Sequence, residues 1–359
     1  MNETVSLIIP TYNERDNIAA LTERLSRALS RYHYEIVFVD DNSTDGTAAL
    51  AASLGDSYPV RVIVRRDKRG LASAVVDGLS QVSGQIIAVM DADLQHPPEV
   101  VPELLREIEK GADIVIASRY VKGGSCPDWS LGRKILSRGA IFLAHLLLPP
   151  TRRASDPMSG FFMFHKRVVA GARLKPTGYK ILLEILMAGK SQSVTEVPYT
   201  FGTRGRGKSK LGARQQIDYL RHIYSLMRRS GELARFIKFA LVGISGIGVN
   251  MSLLWLLTEP GGLFYLLSAA IAIEVSIITN FILNNYFTFA DRNQPGVRPF
   301  LGRLLRFNLV SLASLGINLA ILGLLTETLG VFYLVSNLFG IAAATLWNYL
   351  ANNWWTWKA

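Results

Sequence analysis

From Phe236 onward the sequence is composed for a solvent other than water. Phe236–Leu257 carries Lys238 as its one charge, Leu263–Phe289 carries Glu274, and Phe307–Leu325 and Val331–Trp357 carry none. A helix needs about 20 residues to cross roughly 30 Å of hydrocarbon, and there every backbone N–H and C=O must be bonded within the segment. Four transmembrane helices are therefore expected, at about 236–257, 263–289, 304–325 and 331–357, in a unit covering 236–359. The unit is duplicated. Phe264-Tyr265-Leu266 recurs as Phe332-Tyr333-Leu334, 68 residues later, and the same offset joins Asn250 to Asn318. It also joins Asn280, Asn284 and Asn285 to Asn348, Asn352 and Asn353, and Phe287-Thr288-Phe289 to Trp355-Thr356-Trp357. A fixed offset over several matches marks a structural repeat. Each repeat holds two spans, so both enter the membrane from the same side, as parallel repeats do.

The basic residues set an orientation. Arg228, Arg229, Arg235 and Lys238 precede or open the first span, and Arg292, Arg298, Arg303 and Arg306 lie between the second and third. The connections around Glu259-Pro260 and Glu327 carry no Lys or Arg. The positive-inside rule then predicts a multi-pass protein of the cell membrane with both termini and everything before the spans in the cytoplasm. Consistent with that, the start MNETVSLIIPTYNE lacks the basic stretch and apolar run of a signal peptide. Cys126 is the only cysteine, so no intrachain disulfide is expected; it reads as a small reduced side chain in a loop.

Within the spans, the repeated asparagines sit at i and i+4, which gathers them on polar faces directed into the bundle or at a partner helix; a homo-oligomer is among the expected partners. Glu274 is the one acid within a span; it reads either as functional or as bonded to a neighbouring helix.

The first 120 residues have a different grammar. Val5–Ile9, Ile36–Val39, Val60–Val64, Ile86–Met90 and Ile114–Ala117 are short apolar runs rich in β-branched residues, separated by amphipathic stretches such as Asn17–Leu29 and Glu99–Lys110. Strands apolar on both faces and alternating with helices predict a parallel sheet covered on both sides. Ligands of such α/β sheets bind beyond the C-terminal strand ends, and acidic clusters fall there: Asp40-Asp41 after the second strand, Asp91-Ala92-Asp93 after the fourth. Arg133–Leu148 and Gln215–Met227 mix basic and apolar residues at helical spacing, the pattern of helices lying in a membrane interface; packing against the soluble part is the other reading. The expected organisation is a soluble domain at 1–214, including an interface helix at about 131–148, then an amphipathic interface helix at 215–235 and the membrane unit. The 49% hydrophobic content and mean hydropathy of +0.23 suit such a hybrid. A net charge of +11 fits nucleic acid, anionic headgroups or phosphorylated substrates; the spans favour the last two, and no nucleic-acid partner is expected.

Three motifs carry the chemistry. Pro10-Thr11-Tyr12-Asn13-Glu14 follows the first strand, Val39-Asp40-Asp41-Asn42-Ser43-Thr44-Asp45-Gly46-Thr47 the second, and Asp91-Ala92-Asp93-Leu94-Gln95-His96-Pro97-Pro98-Glu99 the fourth. Together they resemble the family-2 glycosyltransferases of the GT-A fold, most closely the polyprenyl- and dolichyl-phosphate mannose synthases. The resemblance covers 5–215 and continues in Ala117-Ser118-Arg119-Tyr120, Asp156-Pro157-Met158-Ser159-Gly160-Phe161-Phe162 and the Arg204–Lys210 basic loop. The membrane repeat is similar to the GtrA-type domain. The fold class implied is α/β, a Rossmann-like GT-A domain with a mostly parallel sheet, then interface helices and four membrane helices in two parallel repeats.

The resemblance implies roles residue by residue. Asp93 and Gln95, with Asp91, correspond to the metal site for Mg²⁺ or Mn²⁺; Pro10, Tyr12, Glu14, Val39, Asp41, Asp91, Arg204 and Lys210 to the site for the nucleotide sugar, GDP-mannose. Arg119, Arg133, Ser137 and Arg204 correspond to the cradle of the acceptor phosphate, on dolichyl or polyprenyl phosphate in the bilayer; Asp91, Asp93, Arg119 and Arg204 are the catalytic set. Elementary chemistry runs the same way. A hard divalent cation offsets charge on a departing diphosphate, and an arginine fork binds phosphate bidentately. Arg133 and Ser137, four apart, share a helix face. A lipid monophosphate, with a second pKa of about 6, is already ionised near neutrality, so no general base is required, and His96 beside Pro97-Pro98 reads as a helix-entry residue. The Arg204–Lys210 loop could close over both phosphates or be a lipid-attracted surface patch. In-line attack predicts inversion to a β-linked lipid phosphate sugar. The competing readings are a UDP-sugar hexosyltransferase for glucose, a lipid-linked sugar flippase with a sugar-nucleotide-binding module, and a processive polysaccharide synthase. The last usually carries a Gln-x-x-Arg-Trp element, which this sequence lacks.

Overall fold

The computed structural model describes residues 3–67, 70–175, 179–202 and 213–358. The chain divides into two units, Met1–Ser230 and Gly231–Ala359.

In the first unit, β1 (Val5–Thr11), α1 (Arg15–Ala28), β2 (Tyr34–Asp40), α2 (Thr47–Ser53), β3 (Val60–Val64), α3 (Leu71–Leu79), β4 (Ile86–Val89), α4 (Val101–Glu109), β5 (Ile114–Ser118), α5 (Leu131–Leu147), β6 (Phe162–His165), α6 (Ile181–Ala188), β7 (Val194–Pro198) and α7 (Ala213–Ser230) follow in order. The seven strands form one sheet, β3-β2-β1-β4-β6-β5-β7, parallel except for β6. The five strands expected from apolar runs are all present. Strands β6 and β7 are not among those expected, because their apolar runs are short; β6 gains its stability by antiparallel pairing on both sides, Met163 lying opposite Ala88 and Val115.

Alternation along β1 explains the layering. Leu7 and Ile9 face a layer with Leu21 and Leu25 of α1 and Leu104 and Leu105 of α4; Ile8 faces the opposite layer with Val75 of α3 and Leu182 and Ile185 of α6. Each buried side chain of this size removes about 1.5–3 kcal/mol worth of apolar surface from water. Gly78 lets α3 lie close: a Cβ there would stand 2.8 Å from Ile8 Cγ2. Because β2 and β4 flank β1 on opposite sides, strand order reverses there, and a crevice opens beyond the strand ends.

α5 and α7 each have two faces. Ile141, Ala144, Tyr219, Ile223 and Leu226 pack together with Leu148, Met158 and Leu183, and the Tyr219 hydroxyl donates to Ala140 O at 2.6 Å. Their other faces leave Leu131, Ile135, Leu136 and Phe142, and Ile217, Leu220 and Tyr224, exposed. Glu184 of α6 is fully buried and accepts from His222 at 3.0 Å and from Arg229, tying α7 to this unit.

Among the described residues, the second unit has four long helices. α8 (Glu232–Thr258) is continuous; α9 (Tyr265–Leu283), α10 (Val297–Gly323) and α11 (Tyr333–Ala351) each run on into a π turn, at Asn284–Thr288, Leu324–Thr328 and Asn352–Thr356. The continuous spans are 27, 24, 32 and 24 residues long, and at about 1.5 Å per residue even the shorter ones exceed the hydrocarbon thickness. The chain is a multi-pass membrane protein. The third span begins earlier than its apolar run suggests, because Arg298, Arg303 and Arg306 occupy its first turns; charge excludes residues from hydrocarbon, not from helix. Phe239, Phe281, Phe289, Phe307, Tyr349 and Trp357 form the buried centre. The repeated asparagines face inward: Asn280, Asn284 and Asn348, with Ser311 and Ser314, line a cavity of about 410 Å³. Glu274 is exposed on α9 and accepts from Asn308 Nδ2 of α10 at 3.4 Å.

Candidate active site

The loops after β1 and β2 are stitched into one surface. Asp40 accepts from Thr11 Oγ1 at 3.0 Å and from Ser43 N and Oγ at 2.8 and 2.6 Å. Asn13 and Asn42 hold positive φ of 56° and 57°, conformations asparagine tolerates better than most residues. Asn13 N donates to Ser43 Oγ at 2.8 Å, and Thr44 N to Asn13 Oδ1 at 3.0 Å. Pro10 lies opposite Val39 in the sheet. The Val39 side chain is buried in the core layer, so any contact it makes with a ligand runs through its backbone. Tyr12 and Glu14 are half-buried. The Glu14 amide donates to Thr47 Oγ1 at 3.0 Å, and its carboxylate accepts from Asn17 Nδ2 at 2.8 Å.

Asp41 has a partner the sequence does not disclose. Arg65, itself buried, donates Nε to Asp41 Oδ1 at 2.8 Å and reaches the same oxygen through Nη2. The Gly70 amide donates to Asp41 Oδ2 at 2.7 Å. Arg65 also donates to Ser73 Oγ at 2.9 Å and Asp77 Oδ2 at 3.1 Å, so Asp41 is held rigidly at the floor of this loop.

After β4 the chain turns through Leu94, at φ 64°. Asp93 is 5% exposed and its Oδ1 accepts from the Gln95 amide at 3.1 Å, whereas Asp91 is half-exposed. Gln95 Nε2 donates to Gly202 O at 3.2 Å, which leaves its amide oxygen as the atom it can offer a cation. Gly160 closes the turn's other side: a Cβ there would stand 3.3 Å from Asp91 Oδ2 and from His96 Cε1. His96 is buried, and its Nδ1 accepts the Asp91 N–H at 3.0 Å. Burial pushes the imidazole pKa down, against the pull of Asp91 and Asp93. His96 is thus a neutral brace for the Asp91 backbone. Among the described residues no three His, Cys, Asp or Glu side chains gather as a ligand set. The donors on offer are two carboxylates and one amide oxygen, all hard, which suits Mg²⁺ or Mn²⁺ completed by ligand oxygens.

The cationic side is built from distant segments. Arg119, at the end of β5, makes a bidentate pair with fully buried Asp156, Nε and Nη2 donating at 2.8 Å each, and the Arg119 amide adds a third bond at 3.1 Å. Burial would lower the guanidinium pKa; the bonds to Asp156 outweigh it and hold the pKa above its ordinary value. Arg119 lies 5.0 Å from the centre of the Trp129 ring, and Arg133 lies 4.1 Å from the same ring. Ser137, one turn after Arg133 on α5, accepts from the Tyr120 hydroxyl at 2.8 Å. Lys180 is half-buried just before α6, its Nζ donating to Met158 O at 2.6 Å. Burial, reinforced by Arg119, pushes its pKa down to about 8 against the pull of Asp91 and Asp156.

Aromatic rings join the two sides. Phe201 stands 5.8 Å from His96 and 5.4 Å from Trp129, with the Arg119 guanidinium 5.7 Å from its centre. The structure therefore brings Asp91, Asp93 and Gln95 to one side of this bridge and Arg119, Arg133 and Ser137 to the other. Arg204, Lys208 and Lys210 lie outside the described residues. Arg65, Trp129, Asp156, Lys180 and Phe201 are not evident as site residues from the sequence; for Asp156 alone a signal exists, its place in the Asp156–Phe162 motif.

Comparison with known proteins gives the family. Residues 6–170 match the glycosyl transferase family 2 model, and 238–357 match the GtrA/DPMS transmembrane domain. The chain is 46% identical over 353 residues to a dolichol-phosphate mannosyltransferase of Pyrococcus furiosus, covering 98% of this chain and 99% of that protein. It is 41% identical over 235 residues to a dolichol-phosphate mannosyltransferase of Mycosarcoma maydis, covering 62% of this chain and 79% of the other. Among solved structures, glucosyl-3-phosphoglycerate synthase of Mycobacterium tuberculosis, in complex with Mn²⁺, UDP-glucose and phosphoglyceric acid, matches 64% of this chain and 80% of its own. Its TM-score of 0.50 at 21% identity is a likeness of fold, that of the GT-A domain. The chain is a glycosyltransferase, and it belongs to the dolichol-phosphate mannosyltransferase family of the family-2 glycosyltransferases, those joined to a GtrA/DPMS transmembrane domain.

Proposed function

We propose that the chain transfers mannose from GDP-mannose to dolichyl or polyprenyl phosphate, with inversion, at the cytoplasmic surface of the membrane. The observation that carries this reading is the near-complete alignment, at 46% identity, with a dolichol-phosphate mannosyltransferase. A carboxylate side and a guanidinium side that share one aromatic bridge support it.

Pro10, Tyr12, Glu14, Asp41 and the Val39 backbone bind base and ribose, with Arg65 fixing the Asp41 carboxylate for ribose hydroxyls. Asp93 and Gln95, with Asp91, would hold Mg²⁺ or Mn²⁺, which when bound supplies positive charge to the donor diphosphate. Arg119, Arg133 and Ser137 hold the acceptor phosphate, joined by Arg204; Lys210 joins the donor side. With Nε and Nη2 of Arg119 engaged by Asp156, its Nη1 is the edge that faces a phosphate. The acceptor arrives ionised, so no side chain takes its proton, in keeping with a buried His96 whose Nδ1 is already occupied. A phosphate oxygen attacks the anomeric carbon as the bond to the diphosphate breaks, giving a β-linked lipid phosphate mannose. The exposed apolar faces of α5 and α7 support their lying in the membrane interface, where the acceptor headgroup resides.

The test is incubation of membranes holding the full chain with labelled GDP-mannose or UDP-glucose and polyprenyl phosphate, with and without EDTA. Labelled lipid is expected from GDP-mannose alone, lost with EDTA and restored by Mg²⁺ or Mn²⁺. Labelling from UDP-glucose would replace the donor assignment, and a retained anomeric configuration by NMR would overturn single displacement.

A further inference from the structure

The two repeats of the membrane unit end alike. In each closing π turn the polar side chains turn inward: Asn284, Asn285 and Thr288, and Asn352, Asn353 and Thr356, are all buried. The aromatic residues between them turn outward, Tyr286 and Phe287 at 62% and 53% exposure and Trp354 and Trp355 at 61% and 48%. An exposed cation from the paired span stands against each aromatic pair. Lys238 Nζ of α8 lies 4.7 Å from the centre of the Phe287 ring, and Arg306 Cζ of α10 lies 5.9 Å from that of Trp355. Cation and ring are both related by the 68-residue offset.

A second repeat-related pair of cations provides the contrast. Arg235 is neutralised by Glu232 and, at 2.7 Å, by Asp291; Arg303 is buried and donates to Asn285 Oδ1 at 3.1 Å and Asn293 Oδ1 at 2.7 Å. Those arginines are structural. Among the described residues, neither Lys238 nor Arg306 has a carboxylate within 4.0 Å. A long cationic side chain near the end of an apolar span snorkels to the headgroup layer, where anionic lipid attracts it, and the aromatic neighbour fixes it at headgroup depth.

We propose that Lys238 with Phe287, and Arg306 with Trp355, form two repeat-related seats for the phosphate of an anionic phospholipid, one in each repeat. An anionic lipid fits better than a zwitterionic one. The choline of a zwitterionic headgroup would find no carboxylate beside these cations, and the nearby ring already faces a protein cation. The second seat is the firmer. Arg306 is fixed by a further bond from Nη1 to Trp355 O at 3.3 Å, and a guanidinium binds phosphate bidentately.

Native mass spectrometry of the full chain, extracted from bilayers of equal phosphatidylcholine and phosphatidylglycerol, tests this. One retained phosphatidylglycerol per seat is expected. Lys238→Gln and Arg306→Gln should each remove one and weaken retention by about fivefold, Arg306→Gln more than Lys238→Gln, and the double variant should remove both. The charge-keeping Lys238→Arg and Arg306→Lys, and Arg298→Gln at an exposed arginine outside the seats, should retain both lipids. Thermal melting identifies any glutamine variant that folds poorly; the charge-keeping variants are then compared with the same positions changed to methionine. Equal retention of the two phospholipids, undiminished phosphatidylglycerol in the double variant, or displacement from both seats by equimolar polyprenyl phosphate would each overturn the proposal.

Discussion

The two sides of the candidate site are assembled in opposite ways. The carboxylate side comes from tight turns at the ends of β2 and β4, the two parallel strands that flank β1: Asp41 after β2, and Asp91, Asp93 and Gln95 after β4, the turns stitched by short-range bonds from Ser43 to Asp40 and from Gln95 to Asp93. The guanidinium side draws Arg119 from the end of β5, Asp156 from before β6, Arg133 and Ser137 from α5 and Lys180 from before α6. Local turns place the first, with Arg65 and Gly70 then fixing the Asp41 carboxylate from 24 and 29 residues away; only tertiary folding places the second. A defect on the carboxylate side should therefore damage chemistry and spare the fold, whereas one on the guanidinium side should damage both.

The largest expected effect lies on the carboxylate side. Asp93→Ala should lower kcat/KM for mannosyl transfer by on the order of 10³-fold, the scale of losing one preorganised charge-stabilising group. Its melting temperature should stay near wild type, since Asp93 sits in a turn, where its Oδ1 accepts from the Gln95 amide. A labelled-donor assay beside a thermal melt reads both; undiminished transfer would refute the assignment, and a collapsed melt would break the contrast between the two sides.

Asp156→Ala should damage both transfer and fold. It leaves the Arg119 guanidinium buried without its partner, a loss of about 3–5 kcal/mol of stability, read as a lowered melting temperature in detergent. Removing both charges, as Arg119→Met with Asp156→Leu, should restore much of that stability because no unpaired charge remains, while transfer stays low. If the double variant melts no higher than Asp156→Ala, the buried-charge account fails.

This difference also governs what is legible in the sequence. Strands β1 to β5 stand out as apolar runs, and their C-terminal acidic turns lie beside them in the chain, so Asp41, Asp91, Asp93 and Gln95 can be picked out from their position along it. The four spans and their repeat are equally open, because hydrophobicity over about 20 residues is a strong signal. Trp129 is not: a tryptophan in an irregular stretch becomes a platform only when β5 and α5 bring two arginines onto its ring. Arg65 and Asp41 are 24 residues apart and meet only because β2 and β3 pair in register. Lys180 sits in a segment whose sequence carries no motif, and its place depends on the turn at Met158.

Trp129 offers a sharper test of the guanidinium side. Trp129→Leu removes two cation–ring contacts, each worth about 0.5–2 kcal/mol, and should raise the KM for lipid phosphate roughly tenfold while leaving that for the nucleotide sugar unchanged. Equal increases in both would mean that the aromatic bridge, rather than the arginine pair, is what the tryptophan supports.

The smallest effect should show in pH. Lys180 carries its charge below about 8 and loses it above. Its attraction for a bound phosphate is therefore present below that pH and falls away as pH rises, by roughly fivefold for a hydrogen bond of about 1 kcal/mol. Stability should move the other way. In the unfolded chain a lysine holds its proton to about 10.4, so between about 8 and that value the unfolded state binds more protons and Lys180 makes the fold more stable with rising pH. Lys180→Met should flatten both slopes together. Flattening of the binding slope alone would place the titrating charge at the phosphates without burial lowering its pKa, and flattening of the stability slope alone would make Lys180 a structural cation that the substrates never meet.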